Sequence, residues 1–275
     1  MTAIYIWPEF EGSEIVRLQA AGDSGISTGN TLSMGSGVKI LTLPVICRAP
    51  GPDGFFTFPY YEHTVALAFA GSTLIAQNVY LEVMPLITNL ISLNKTVPSL
   101  SEIATYIGTF VKKTWNEYGY VQGKGFEIAI FGYCHVEKKF SVALFSTIST
   151  ETDGMQFHTE VLNDLKAGTY IYLGSKKSEM HELLLNEISK SRAGSPTERA
   201  PRRAIKAAID SEDFPEISGG LQLGYATCFG YRAQLVCEPV EFGKPECQYR
   251  YLNSVMTPEF LSINENIWIG TEGTI

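Results

Sequence analysis

The chain has 275 residues, of which 45% are apolar and 18% are charged, and its formal net charge is −8 at pH 7. An ordinary soluble domain has roughly 25% charged residues, so this composition excludes a disordered chain and supplies a large core for a single domain over residues 1–275. A protein that binds duplex nucleic acid should have a basic face, so the acidic balance predicts no nucleic-acid partner.

The N-terminus, MTAIYIWPEF, has neither the positive region nor the apolar run of a secretory signal. Residues 64–94 have Glu82 as their only charge, and a stretch of that length could span a bilayer. Because Pro85 and several polar pairs interrupt it, we favour a buried strand that leads into a buried helix. We therefore expect a cytoplasmic protein without a membrane partner.

Metal-binding patterns are missing from the sequence. Its five cysteines fit no zinc spacing, and its four histidines form no HExxH motif. We predict neither a metal nor an organic cofactor.

Strands should dominate the first quarter of the chain. Alternating apolar residues predict strands at 2–7, 15–21, 32–46 (two strands) and 63–70, with a turn at 8–13 and an inserted Pro/Gly/aromatic loop at 48–61. A helix should begin near Ser72 and weaken at Pro85. A second helix should follow Ser99, which has capping-box spacing to Glu102.

The second half of the chain has a similar order of predicted strands and helices, without an internal sequence repeat. Strands are predicted at 126–134, 140–147, 169–173, 217–226 and 231–237, and helices at 176–188 and 201–211. The charged turn at 137–139 should join the first two of these strands into a hairpin. Residues 239–275 form a C-terminal extension that we could not assign. Strands, two helices, strands, two helices and strands predict an α+β fold with two sheets, each covered by a helix pair, in four layers.

The segment Gly22-Asp23-Ser24-Gly25 looks like the nucleophile motif of chymotrypsin-type proteases. That chemistry needs a histidine base and an orienting acid, which in that family both precede the serine. Here the first histidine is His63, well after the segment. We therefore disfavour this interpretation.

The N-terminus offers a different nucleophile. Met1 is followed by Thr2 and Ala3, and a small second residue permits removal of the initiator methionine. An α-amino group has a pKa of about 7.7–8.0, so near neutral pH a useful fraction can accept the proton of its own threonine hydroxyl. A protein that keeps Met1 has no such base.

Further segments carry a family resemblance. Asp23-Ser24-Gly25-Ile26-Ser27-Thr28-Gly29-Asn30 follows an apolar strand, Lys39 lies 16 residues after Asp23, and Phe69-Ala70-Gly71-Ser72, Gly174-Ser175 and Ser218-Gly219-Gly220 follow in order. In this order they resemble the β-type peptidase subunits of the proteasome and the HslV-type bacterial protease, as a divergent bacterial branch. The resemblance covers about residues 2–238 and implies a four-layer αββα N-terminal-nucleophile hydrolase fold.

The resemblance also implies roles for individual residues. Thr2 would be the nucleophile and, through its amine, the base. Lys39 would lower the pKa of the attacking group, and Asp23 would orient Lys39. The Gly71 N–H would stabilise the oxyanion. Ser175 and Ser218 would support the Thr2 amine.

Substrate-binding roles follow in the same way. Ser27 would donate and accept backbone hydrogen bonds with an extended peptide. The apolar pocket before the scissile bond would be lined by Ile26, Gly37, Phe69 and Thr73.

The sequence departs from the family pattern at several positions. Extra residues extend the first hairpin at 9–13, and Lys176 and Lys177 replace small residues after Ser175. The acid that relatives carry three residues before Ser218 is Pro215 here, and Asp213 or Glu216 could replace it.

Three hypotheses follow. The leading one is a threonine-type endopeptidase that acts on peptides or unfolded proteins, as a homo-oligomeric ring or helical array. The others are a catalytically inactive structural subunit of the same fold, and an amidase for a small molecule. An unfoldase partner stays open.

Overall fold

The computed structural model describes residues 2–28, 31–118, 125–150, 154–191, 197–239, 247–252, 254–264, 266–270 and 272–274. Met1, the Gly29-Asn30 end of the resemblance segment and parts of the C-terminal extension lie outside the described residues. Within them the fold is mixed α+β and consists mostly of strands.

The larger sheet contains eight strands among the described residues. In spatial order they are β11 (Ile171–Gly174), β1 (Ala3–Glu11), β2 (Glu14–Asp23), β12 (Leu221–Thr227), β13 (Gly230–Pro239), β14 (Cys247–Tyr251) and β15 (Ser254–Val255), and β18 (Glu272–Thr274) pairs with β13. The neighbours β11, β1, β2, β12 and β13 run antiparallel. The start of β1 and the end of β2 therefore lie side by side at one end of the strands.

The second sheet has six strands in the described part of the chain. Its spatial order is β10 (Gly154–Leu162), β9 (Lys139–Thr150), β8 (Phe126–Cys134), β6 (Phe58–Gly71), β5 (Ile40–Ala49) and β7 (Leu90–Ile91). Two short hairpins complete the strands: β3 (Ile26–Thr28) with β4 (Thr31–Met34), and β16 (Ser262–Asn264) with β17 (Ile267–Trp268).

The helices are α1 (Thr73–Ile87), α2 (Leu100–Glu117), α3 (Lys177–Ser189), α4 (Ala200–Ile209) and the short α5 (Pro258–Leu261). A 3-10 turn at Thr197–Arg199 precedes α4. No helix within the described residues is long and apolar enough to cross a membrane.

Three apolar clusters hold these elements together. The first joins α1 and α2 to the six-stranded sheet, for example through Ile107 and Phe145. The second lies between the two sheets, and the third joins α3 and α4 to the eight-stranded sheet. Because side chains alternate along a strand, β1 contributes Ile4 to the second cluster and Tyr5 to the third.

Several predicted boundaries were wrong. The predicted turn at 8–13 is strand as far as Glu11, and the tight turn lies at Gly12-Ser13. Pro8 is tolerated in the strand because β11 pairs with β1 only as far as Ile6. The missing N–H of Pro8 therefore removes no hydrogen bond to β11. The loop expected at 48–61 is partly strand, since β6 begins at Phe58.

Other elements were only partly anticipated. The capping box at Ser99 and Glu102 is confirmed, as is the hairpin of β8 and β9. No sequence pattern predicted β10. Lys39, which we predicted inside a strand, directly precedes β5. In the C-terminal extension, β14 adds to the edge of β13.

The start of α2 provides a test of local stability. The Ser99 hydroxyl accepts the Glu102 N–H at 3.2 Å, and the Glu102 carboxylate accepts the Ser99 N–H at 2.7 Å. Ser99→Ala should therefore lower the free energy of unfolding by about 1 kcal/mol in urea denaturation. Thr105→Ala, at an exposed position within the same helix, should cost less, and equal losses would contradict a specific capping role.

Candidate active site

The site is built around Thr2, the residue that precedes β1. Thr2 is only 5% exposed, and its carbonyl oxygen accepts the N–H of Ser175 at 3.2 Å. Gly174 pairs with Ala3 and has a φ of +132°. A Cβ on Gly174 would lie 1.9 Å from the Thr2 carbonyl oxygen, so glycine is required for this close approach.

A buried ion pair lies beside Thr2. The Lys39 Nζ is 3.0 Å and 2.9 Å from the two carboxylate oxygens of Asp23. Asp23 is 0% exposed and Lys39 is 1% exposed. The Asp23 carboxylate also accepts the Ala3 N–H at 2.9 Å and the Ser218 N–H at 3.3 Å. One carboxylate therefore connects the start of β1, the residue before β5 and the loop before β12.

Burial acts on both charges of this pair. Burial lowers the pKa of the Lys39 ammonium, and the Asp23 carboxylate opposes that shift. Burial raises the pKa of Asp23, against the opposing effects of Lys39 and the Ala3 and Ser218 N–H groups. Each charge is therefore retained in the interior mainly because the other is present.

Ser24 fixes the loops around the pair, a role that neither the GDSG motif nor the family resemblance predicted. Its hydroxyl donates to the Gly35 carbonyl at 2.6 Å and accepts the Gly220 N–H at 2.8 Å. The Gly25 N–H donates to the Ser218 carbonyl at 2.7 Å. The GDSG segment therefore holds Ser218 in position, and the Ser218 Oγ has no hydrogen-bond partner among the described residues.

A cavity of about 300 Å³ opens next to Thr2. It is lined by Thr2, Ala70, Gly71, Gly125, Phe126, Glu127, Thr147, Gly174 and Ser175. Gly71 has a φ of +91°, and a Cβ there would lie 2.4 Å from the Gly125 carbonyl oxygen. Thr2, Gly71 and Ser175, predicted from distant parts of the sequence, therefore share one cavity.

The residues predicted to bind substrate do not line this cavity. Ile26 and Ser27 lie in β3, and Ile26 contacts Gly37 so closely that a Cβ on Gly37 would lie 2.2 Å from the Ile26 Cδ1. Phe69 belongs to the core cluster below α1 and α2 and is 1% exposed. Thr73 is the first residue of α1.

Glu127 was missed by the sequence analysis. It lines the Thr2 cavity, and its carboxylate accepts the Gly174 N–H at 2.6 Å and pairs with Lys177 at 2.5 Å. Gln222 was missed too, although it is 1% exposed and accepts the Lys39 N–H at 3.1 Å. Neither has a local sequence signal, because each contact depends on how distant strands align.

Lys176, one of the two lysines that depart from the family pattern after Ser175, contacts the loop before Ser218. Lys176 has a φ of +52°, and its Nζ lies 3.6 Å from the Glu216 carboxylate and donates to the Asp213 carbonyl at 2.6 Å. Glu216 is 7% exposed. Of the two acids considered as replacements at Pro215, Glu216 is the buried one, and Lys176 pairs with it.

Within the described ranges, no group of three or more His, Cys, Asp or Glu side chains could hold a metal ion. The site therefore presents a hydroxyl, a buried ammonium–carboxylate pair and backbone N–H groups as its chemical resources.

Comparison with solved structures identifies similar folds. The chain is similar to Anbu (ancestral beta-subunit) from Yersinia bercovieri, with 16% identity over 82% of each chain and a TM-score of 0.50. It is similar to Anbu in a helical assembly from Pseudomonas aeruginosa, with 14% identity over 85% of each chain and a TM-score of 0.52. A (Gly-1) mutant of Anbu from Hyphomicrobium sp. strain MC1 matches with 14% identity over 92% of this chain and 87% of that chain, with a TM-score of 0.51.

No protein-family model matches the chain, and no curated protein sequence matches it. The assignment to proteasome β-type and HslV-type subunits is therefore wrong: the similar structures reported above are Anbu proteins, and at 14% to 16% identity they share the fold alone. The motif spacing misled because it marks packing requirements. Asp23 and Lys39 form a buried pair, and Gly71 and Gly174 allow close backbone contacts, so these residues do not distinguish families within one fold.

The buried pair predicts that two lysines differ greatly in how much their loss lowers the free energy of unfolding. Lys39→Met leaves the Asp23 carboxylate buried and unpaired, which should lower the free energy of unfolding by about 3–5 kcal/mol. Lys177→Met removes an ion pair whose lysine side chain is 62% exposed, and it should cost less than about 1 kcal/mol. Urea denaturation of both variants measures the difference, and similar losses would contradict the role of the pair.

Proposed function

We propose that the protein is a threonine-type amide hydrolase that uses Thr2, after removal of Met1, as its nucleophile. One observation supports this most strongly: Asp23 binds both the Lys39 ammonium and the Ala3 N–H, directly beside Thr2. The buried ammonium is therefore linked through Asp23 to the backbone next to Thr2, which lines a cavity. It is suited to adjusting the proton affinity of nearby groups.

The chemistry proceeds in two steps. The neutral Thr2 amine accepts the hydroxyl proton, the Oγ attacks the amide carbon, and the amine product leaves with a proton as an ester forms on Thr2. Water then hydrolyses that ester and frees the hydroxyl. The Gly71 N–H would stabilise the oxyanion in both steps, and one such donor contributes about 3 kcal/mol.

Lys39 has a defined electrostatic role in this scheme. Its positive charge disfavours protonation of the Thr2 amine and therefore lowers that amine's pKa. Asp23 holds Lys39 in place at 2.9 Å. Activity should then rise with pH as the amine loses its proton, and a pH–rate profile of peptide hydrolysis measures this.

The substrate that we propose is a peptide or an unfolded chain, bound with Ser27 along its backbone and with Ile26, Gly37 and Thr73 near the residue before the scissile bond. Phe69, which is buried in the core, would support that pocket from below. The cavity beside Thr2, Gly71 and Ser175 would then receive the other side of the scissile bond. Ser175 and Ser218 would support the Thr2 amine, since their hydroxyls have no hydrogen-bond partner among the described residues.

We propose a four-layer αββα arrangement of the N-terminal-nucleophile type for this fold, in a single domain with its core at about 2–238. The three apolar clusters support it, since one lies between the sheets and the other two lie beneath helix pairs.

Self-association is part of the proposal. Along α1, the side chains of Leu74, Leu81 and Leu86 are 53%, 64% and 43% exposed, and apolar surface of this kind favours a protein partner. Anbu from Pseudomonas aeruginosa forms a helical assembly. We propose a homo-oligomeric ring or helical array for this chain as well.

Thr2 variants test catalysis. Thr2→Ala should abolish peptide hydrolysis and covalent labelling by hydroxyl-directed electrophiles, whereas Thr2→Ser should retain both because it keeps an N-terminal hydroxyl. Peptidase assays and intact-mass analysis of the labelled protein measure these outcomes, with circular dichroism as the control for folding. Unchanged hydrolysis in Thr2→Ala would refute the proposal. A wild-type protein that assembles without hydrolysing anything would favour the inactive structural subunit instead.

Assembly has its own test. Leu81→Lys places a charge on the exposed face of α1 and should shift the protein towards smaller species in light scattering of dilute samples. Lys112→Glu is the control, because it changes the charge of an exposed residue on α2. A wild-type protein that is an active monomer would contradict the proposed assembly and would favour the small-molecule amidase.

A further inference from the structure

A second cavity, of about 160 Å³, lies far along β1 from Thr2. Trp7 is five residues after Thr2, which corresponds to about 17 Å along a strand. The floor is the outer face of the eight-stranded sheet, and the cover is the 3-10 turn and the first turn of α4. The lining residues are Trp7, Glu9, Arg17, Gln19, Glu198, Arg199, Arg202, Leu223 and Gln234.

The acid on the cavity floor is already satisfied. Arg17 binds both oxygens of the Glu9 carboxylate, each at 2.6 Å, and Gln19 donates to the same carboxylate. This bidentate pair with an added amide uses the strong acceptor sites of Glu9. Glu9 therefore has little capacity left for the arginines that cover the cavity.

Two of the three arginines make no close ion pair in the described part of the chain, although the charge of Arg199 helps to lower the pKa of Glu9. Neither Arg199 nor Arg202 makes an ion pair or a side-chain hydrogen bond with any described residue, whereas the neighbouring Arg203 pairs with Glu187 at 3.0 Å. Burial and the positive charge of Arg199 lower the pKa of Arg202. Two like charges held together over a partly enclosed cavity favour the binding of an anion.

Another donor lies at the same place. Trp7 is 3% exposed, and its Nε1, which can only donate, has no hydrogen-bond partner among the described residues. The first residue of α4 is Ala200, and the preceding Arg199 provides no side-chain cap. Pro201, the second residue of α4, has no N–H to donate, so the Trp7 Nε1 is the further donor that adds to the arginines of the cavity.

We propose that this cavity binds the phosphate group of a small ligand, or free phosphate. Three arginines face two glutamates in the lining, and Glu198 is the carboxylate that opposes an anion there. Phosphate supplies the charge and the acceptor oxygens that Arg199, Arg202 and the Trp7 Nε1 can use. Since a water occupies about 30 Å³, a volume of about 160 Å³ admits phosphate with a short organic group but not a nucleotide.

Calorimetry tests this proposal with inorganic phosphate, glycerol 3-phosphate and acetate at constant ionic strength and pH. Both phosphates should bind saturably and more tightly than acetate, and the tighter of the two identifies free phosphate or a phosphate ester as the ligand. Loss of one charge-assisted hydrogen bond implies that Arg202→Gln and Arg199→Gln each weaken phosphate binding by about tenfold or more.

Lys206→Gln is the matched control, because it removes one exposed positive charge from the same helix without changing the cavity lining. Its affinity for phosphate should stay within about twofold of the wild type, as expected for a screened surface charge. The proposal is overturned if wild-type protein shows no saturable phosphate binding, if acetate binds as well as phosphate, or if Lys206→Gln weakens binding as much as Arg202→Gln. None of these readouts requires catalytic turnover, so failure here is distinct from failure of the Thr2 hydrolase.

Discussion

The ion pair between Asp23 and Lys39 is the constraint on which the site depends. Both groups are almost fully buried, and removing two charges from water is costly unless each is closely paired and hydrogen-bonded. Asp23 meets this requirement with Lys39 and with the N–H groups of Ala3 and Ser218. The carboxylate that holds Lys39 therefore also holds the backbone of Ala3, and with it the position of the preceding Thr2.

This arrangement explains why the glycines around Thr2 matter. The backbone at Gly174 approaches the Thr2 carbonyl, and the backbone at Gly71 approaches Gly125, at distances that a Cβ would occupy. Without side chains at these points, β1, β6, β8 and β11 converge on one small cavity. Thr2 and the Gly71 backbone thus line one cavity, and Asp23 connects the buried ammonium to the adjacent Ala3, although no local motif joins them.

Much of the fold followed from local patterns. The capping box at Ser99 and the hairpin of β8 and β9 depend on residues close in sequence, and both were predicted correctly. Pro8 misled because its tolerance depends on the short reach of β11, which only the sheet topology reveals. The family was misassigned for a related reason, since the residues that carried the resemblance make a buried pair and close backbone contacts that belong to the fold.

The site was predictable where charge and burial conflict within one segment, as with Lys39 among apolar residues and Asp23 upstream. Ser24, Glu127 and Gln222 could not be predicted, because each has a partner far away in sequence. The Gly220 N–H, for example, meets the Ser24 hydroxyl across 196 residues. Neither the exposed Arg199 nor the half-buried Arg202 showed in the sequence that the two share a cavity. Their shared cavity exists only because α4 lies across the outer face of β1 and β2.

The central claim is that a free Thr2 amine and the adjacent buried pair form one catalytic unit. Mass spectrometry of the N-terminal peptide from purified, untagged protein tests it most directly. The account predicts that the peptide begins at Thr2 with an unmodified amine. Protein that retains Met1 throughout, or has a blocked Thr2 amine, would contradict the account, because the base that it requires would not exist.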